Sequence, residues 1–195
     1  MLAYFLGGLP FGYWFVRLSS GTDIRTVGSG NIGATNVHRT LGRKPGLIVL
    51  MLDILKGFLA VWLAALISRS DPRALALSAL AVMLGHCYPV LLGFHGGKAV
   101  ACFIGAFLYL APLSLAIVAI VFVAVVALTK YISLASILGA LLFPFVVWLV
   151  TQPPQPILIA SIAAAALIVY RHQNNIARLR AGTENVFSLS GGKAK

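Results

Sequence analysis

Acidic residues are nearly missing from this chain. Its 195 residues hold only four, Asp23, Asp53, Asp71 and Glu184, against fifteen lysines and arginines. With so few carboxylates there is no candidate dyad for acid–base work, no cluster with metal-ligand spacing and no HExxH motif. No histidine has an aspartate five residues on, which excludes an HxxxxD acyltransferase signature, and His172 has no nearby acid for a Ser-His-Asp triad. No metal and no cofactor is expected. Cysteine is equally scarce. Cys87 and Cys102 fit neither a CxxC pair nor a disulfide framework and read as free thiols with packing roles. Charge as a whole is thin, at 10% of residues against 60% hydrophobic, with a mean hydropathy of +0.97. Soluble domains carry about 25% charged residues, so composition alone makes this a membrane protein.

What charge exists is positive, with a formal net of +11. That sign invites a nucleic-acid partner. The cations are scattered among short loops between apolar runs, however, so no nucleic acid is expected. A basic surface beside a bilayer sets topology and can also hold small phosphorylated ligands.

No basic segment precedes the first apolar run, MLAYFLGGLPFGYWFV, and the first cation, Arg17, follows it. This is not the layout of a cleavable leader. It reads as a spanning helix with its amino terminus outside. It is short for a span of about 20 residues, which points to a natural start upstream of Met1.

Backbone groups in lipid must bond internally, and no period-2 barrel pattern occurs, so the long apolar runs predict helices. The expected fold is all-α and polytopic, with about seven transmembrane helices near 1–17, 46–67, 74–93, 99–111, 113–129, 133–151 and 156–171. Pro112 divides a stretch too long for one span. Ala163 to Ala166 offer a small-residue face for close helix approach. Short loops leave a single domain over 1–195 with no linker and no internal repeat. With the amino terminus outside, twelve cations fall inside: Arg17, Arg25, Arg39, Arg43, Lys44, Lys98, Lys130, Arg171, Arg178, Arg180, Lys193 and Lys195. Only Arg69 and Arg73 fall outside, a strong positive-inside asymmetry that puts the carboxyl terminus in the cytoplasm. The polar, glycine-rich stretches 19–45, 94–98, 129–136 and 172–185 then share the cytoplasmic side.

Gly28-Ser29-Gly30-Asn31-Ile32-Gly33 satisfies GxGxxG, but it lies between two spans with no strand before it and no βαβ unit. A dinucleotide site is excluded. The physical content survives, because glycines let backbone N–H groups approach an anion and a helix start adds a favourable dipole. Ser29, Asn31, Thr35 and Asn36 add donors, and Arg39 lies one turn past Thr35. The plainer alternative is a flexible interfacial loop. In GHCYPVLLGFHGGKAVA (85–101), Leu92 replaces the first glycine of a Walker A loop and Ala99 follows the lysine, so this is no P-loop. Gly96-Gly97-Lys98 still offers a point charge at a helix start, although Lys98 could instead anchor its helix at the interface. His86 and His95 read as structural. The stretch YRHQNNIARLRAGTE (170–184) gathers His172, Asn174, Asn175, Arg178 and Glu184, with a basic tail for anionic headgroups as its alternative. Asp53 and Lys56 lie three apart on one helix and read as a structural pair.

Together these motifs resemble the bacterial acyl-phosphate–glycerol-3-phosphate acyltransferases of the PlsY type. The resemblance runs through GSGNIGATNVHRTLG (28–42), LDILKG (52–57), 85–101, KYISLASI (130–137) and HQNNIARLRAGTE (172–184). Two departures show: Ala99 stands where a glycine is usual, and Cys102 where a threonine is usual. The resemblance implies a seven-helix protein of the bacterial cytoplasmic (inner) membrane in phospholipid biosynthesis. It implies transfer of a fatty acyl group from acyl phosphate to the sn-1 hydroxyl of glycerol-3-phosphate, giving lysophosphatidic acid and phosphate. By resemblance Ser29, Gly30, Asn31 and Thr35 hold the acyl phosphate. Arg39, Lys98 and Ser136 bind the phosphate of glycerol-3-phosphate, and His172 and Asn175 orient its hydroxyls. Ser29, Lys98, His172 and Asn175 form the implied catalytic set, while Arg178 and Glu184 support the fold. The implied partners are membrane lipids and a soluble enzyme that makes acyl phosphate. A small organic-phosphate transporter is the alternative, although only Asp53 and Lys56 put polar groups near the midplane that it requires. A non-catalytic scaffold leaves the first loop unexplained.

Overall fold

The structure, a computed structural model, describes residues 1–188, all helices and connections with no strand among them. Lys193 and Lys195 of the expected inside tail lie outside the described residues. Ten helices follow one another: α1 (Leu2–Gly7), α2 (Phe11–Ser20), α3 (Ala34–Leu41), α4 (Arg43–Ser68), α5 (Pro72–Cys87), α6 (Val100–Leu110), α7 (Pro112–Thr129), α8 (Ile132–Val146), α9 (Gln155–Arg171) and α10 (Gln173–Arg180).

Four of these are long and apolar enough to cross a bilayer: α4, α5 with its 3₁₀ extension to Leu92, α7, and α8 with a π turn to Thr151. A fifth candidate is α9 with α10, bent by 56°. The expected seven spans therefore rest on two shorter pieces. The first run is broken into α1 and α2 around Gly8-Leu9-Pro10, because proline brings no N–H to continue a helix. The segment expected at 99–111 is the eleven-residue α6. Pro112 does open a new helix at its first position, where its missing N–H costs nothing.

The bundle is held by close packing, since lipid tails offer little hydrophobic drive between helices. α4 and α6 meet backbone to backbone. A Cβ on Gly57 would lie 2.3 Å from the Cys102 carbonyl oxygen, and one on Gly105 would lie 1.9 Å from that of Ile54. On α9, Ala160, Ser161, Ala164 and Ala165 turn inward, so the small-residue face expected there is offset slightly towards the amino terminus. Phe103, Phe107 and Phe143 form a triangle with centroids 4.8 Å apart, each pair adding about 0.5–1.5 kcal/mol beyond burial. Connectivity places the start of α4 and the ends of α2, α5, α7 and α9 at one end of the bundle. The turn between α4 and α5, with Arg69 and Arg73, lies at the other.

Candidate active site

The loop before α3 is shaped by a side chain buried beneath it. Asn36 is 1% exposed; its Oδ1 accepts the Ser29 N–H at 2.9 Å. Its Nδ2 donates to the carbonyls of Ile24, Val27 and Asn31 at 3.2, 3.0 and 2.9 Å. Asn31 Oδ1 in turn accepts from the Gly33 N–H at 2.9 Å. Asn36 therefore folds the loop and has nothing left for a ligand. What remains outward is the Ser29 hydroxyl, the Asn31 amide, Thr35 and the amino end of α3, where unspent N–H groups favour an anion.

Lys98 comes from the loop between α5 and α6. Its Nζ donates to Asn175 Oδ1, and Asn175 Nδ2 donates to Glu184 Oε1 at 2.7 Å. Glu184 also accepts from Ser133 Oγ at 3.0 Å and Arg178 Nε at 2.8 Å. Burial pushes its carboxyl up, but hydrogen bonds from Asn175, Arg178 and Ser133 outweigh that and hold it below its ordinary value. Glu184 thus ties α8, α10 and the following segment together and fixes the Asn175 amide so that its oxygen faces Lys98. Burial drives the Lys98 ammonium down to about 8; Glu184 opposes this, and Arg178, Arg39 and Arg171 reinforce it. Arg39 is likewise held below its ordinary value by burial, with Glu184 opposing.

His172 sits past the last turn of α9, buried, with Nδ1 2.7 Å from the Ile168 carbonyl oxygen. A carbonyl only accepts, so Nδ1 carries the proton and Nε2 offers a lone pair. Burial first, then the charge of Lys98, lower its pKa to about 4. At neutral pH the ring is an uncharged acceptor and a weak base.

These groups border one cavity of about 430 Å³. Ser29, Asn31, Thr35, Arg39, Lys98, Ser136, His172 and Asn175 all reach its wall. Gly30 does not; its N–H is spent on the Val27 carbonyl at 3.0 Å. Ser136 lines the wall with its hydroxyl turned back on the Ile132 carbonyl at 2.9 Å, so it must rotate to serve a ligand. Arg43, Ser133, Glu184 and Phe187 also line the cavity, and no motif in the sequence marks them as ligand-binding. Arg43 stood in a run of loop cations, and nothing in the spacing set it apart from Lys44. Hydrocarbon lines the rest of the cavity, from Leu47, Leu50, Ile104, Phe122 and Ile132 on α4, α6, α7 and α8.

Among the described residues one cluster could hold a metal by donor type: Asp53, His86 and Cys102 bring ligand atoms within 4.8 Å of one another. Lys56 Nζ already occupies that corner, 2.7 Å from Asp53 Oδ1 and 3.0 Å from His86 Nδ1. An ammonium standing among the donors supplies the positive charge a cation would bring, so the residues do not fit a metal.

The family model described as glycerol-3-phosphate acyltransferase matches residues 1–182. A glycerol-3-phosphate acyltransferase of Desulforamulus reducens is 47% identical over 93% of this chain and 90% of its own length. One of Geobacter sulfurreducens is 46% identical over 95% and 94%. Among solved structures, the integral membrane glycerol 3-phosphate acyltransferase PlsY (YgiH) in its glycerol 3-phosphate form superposes with a TM-score of 0.91. It is 40% identical, over 96% of this chain and 92% of that one. Its lysophosphatidic acid form gives 0.86 at 38% identity and the same coverage. With nearly its whole length matched in sequence and in fold, the chain belongs to the glycerol-3-phosphate acyltransferase family and is an integral membrane acyltransferase.

Proposed function

We propose that this acyltransferase takes its acyl group from acyl phosphate and delivers it to the sn-1 hydroxyl of glycerol-3-phosphate at the cytoplasmic face of a bacterial inner membrane. The observation that carries this is a single cavity lined both by cations and neutral donors and by hydrocarbon side chains. Such a space suits a lipid-tailed donor and a water-soluble anion side by side. Relatives of this chain are crystallised in glycerol 3-phosphate and lysophosphatidic acid forms, which supports the acceptor and the product.

Ser29, Asn31, Thr35 and the amino end of α3 hold the donor's phosphate. Arg39 and Lys98, with Ser136 after rotation, hold the phosphate of the acceptor, and Arg43 adds charge beside them. His172 accepts from the attacking hydroxyl through Nε2 and orients it. Asn175 works chiefly by holding Lys98, because its Oδ1 and Nδ2 are already engaged. The acyl chain lies along Leu47, Leu50, Ile104 and Phe122 and leaves the cavity between helices.

In the reaction the hydroxyl oxygen attacks the acyl carbonyl carbon, the bond from that carbon to the phosphate oxygen breaks, and phosphate departs with the electron pair. The mixed anhydride arrives activated, so the protein's tasks are placing the hydroxyl and stabilising developing charge. A donor phosphate oxygen takes the proton, a role that a ring with a pKa of about 4 performs poorly.

The test is purified protein in detergent with acyl phosphate and labelled glycerol-3-phosphate. Labelled lysophosphatidic acid, formed without metal or a coenzyme A thioester, is the expected result. Label that crosses sealed vesicles unmodified would mean transport instead. His172→Ala separates orientation from base catalysis: a loss well beyond about 10⁴-fold, the upper range for a general base, would return the proton to histidine.

A further inference from the structure

Beneath the cavity lies a buried ammonium that the reaction does not use. Lys56, midway along α4, is 2% exposed, and a charge at that depth persists only with partners. Its Nζ donates to the Leu9 carbonyl at 2.9 Å and to His86 Nδ1 at 3.0 Å, and stands 2.7 Å from Asp53 Oδ1 as an ion pair. The partners come from α4 itself, from the break between α1 and α2, and from the last turn of α5. An ammonium only donates, so His86 Nδ1 accepts and the ring proton sits on Nε2.

The His86 ring is pressed against the backbone that carries Lys98. A Cβ on Gly97 would lie 2.0 Å from His86 Nε2 and 2.8 Å from Cδ2, so only glycine leaves room for the ring. Gly97 N–H donates to the His86 carbonyl at 2.9 Å and Gly96 N–H to that of Cys87 at 3.1 Å. From the other side Arg171 donates to the carbonyls of Gly97 and Gly96 at 3.1 Å each, with its guanidinium over the Tyr88 ring. The glycine pair is clasped between α5 and α9, and Lys98 is the next residue. A pair that merely neutralised Asp53 would need neither the imidazole nor a glycine beneath it.

We propose that Lys56 is a positioning residue for Lys98, holding the His86 ring against Gly97 and so setting where the Lys98 ammonium enters the cavity. The inference rests on Lys98 binding the phosphate of glycerol-3-phosphate. It also explains the glycine doublet before that lysine: the second glycine is the seat of the ring.

The experiment compares KM for glycerol-3-phosphate and kcat in a double-mutant cycle. The double variant Asp53→Asn, Lys56→Met removes both charges at similar volume and leaves no unpaired ion in the bundle. With Lys98 present, KM is expected to rise roughly tenfold or more, the scale of moving a binding group by about an ångström, and kcat to change less. With Lys98→Ala in the background, the same pair of substitutions is expected to change KM by less than about twofold, since coupled residues are not additive. An equal rise in both backgrounds overturns the proposal, because Lys56 then acts on the bundle as a whole. An unchanged KM in Lys98→Ala alone overturns the phosphate role of Lys98, and this inference with it. His86→Leu leaves the ion pair in place and tests the route in a protein that keeps its buried charges balanced. It is expected to reproduce the KM rise, and an unaltered KM there rules out the ring as the link.

Discussion

Lys98 and His172 carry opposite consequences of one environment. Burial disfavours the charged form of each, bringing the lysine to about 8 and the histidine to about 4. Lys98 is protonated below its pKa and loses its charge as pH rises through about 8, so the free enzyme's affinity for a phosphate dianion falls there. The acceptor's own phosphate gains its second charge near pH 6. His172 stays neutral throughout that interval. The profile of kcat/KM for glycerol-3-phosphate, which reports free-enzyme groups, is therefore expected to rise through about 6 and fall through about 8. Lys98→Arg is expected to remove the alkaline fall, since a guanidinium does not deprotonate in that range. An alkaline limb that persists in Lys98→Arg would assign it to another group.

At the scale of elements, the start of α6 carries backbone strain. Ala99 precedes the helix with φ +60°, a left-handed conformation in which a Cβ crowds the following carbonyl at about 1–2 kcal/mol. The motif resemblance already marked this position as one where a glycine is usual, and the backbone supplies the reason. Ala99→Gly is expected to relieve the strain and, after the added freedom of the unfolded chain, to raise stability by about 0.5–1 kcal/mol. Thermal melts in detergent measure this; an unchanged or lower melting temperature would show that the Cβ contributes packing worth more than the strain. Much else at this scale could be read from the chain. Pro112 as a helix start and the Asp53–Lys56 pair both follow from local rules, because proline chemistry and i,i+3 spacing act within a turn. α3 and α10 could not be foreseen in the same way. Their apolar residues are few, and each helix is held by side-chain bonds to groups outside itself: Asn36 to the loop from Ile24 to Asn31, and Asn175 to Lys98 and Glu184. The break at Leu9-Pro10 falls inside a run that reads in the sequence as one span, although the proline accounts for it once seen. Its use as an acceptor for Lys56, 47 residues on, has no local signal at all.

For the whole molecule the issue is which end faces the cytoplasm. α4 has 26 residues and spans about 39 Å at 1.5 Å per residue, so its two ends lie in opposite leaflets. The end at Arg43 borders the cavity with Arg39 and Lys98, and the ends of α2, α7 and α9 add Arg17, Lys130 and Arg171 to it. Among the described residues, the turn after Ser68 carries two cations, Arg69 and Arg73. Cations are retained on the cytoplasmic side during insertion, so the cavity is expected to face inward, towards a pool of soluble glycerol-3-phosphate. Single cysteines report this cleanly, because Cys87 and Cys102 are both buried and leave a low background. Ser70, in the exposed turn after α4, and Ser20, at the exposed end of α2, mark the two ends. In right-side-out vesicles a membrane-impermeant maleimide is expected to label Ser70→Cys and spare Ser20→Cys, and inverted vesicles are expected to exchange the two. Labelling of Ser20→Cys from outside would turn the cavity away from the cytoplasm and overturn the proposed face of the reaction, while leaving the geometry of the site as it stands.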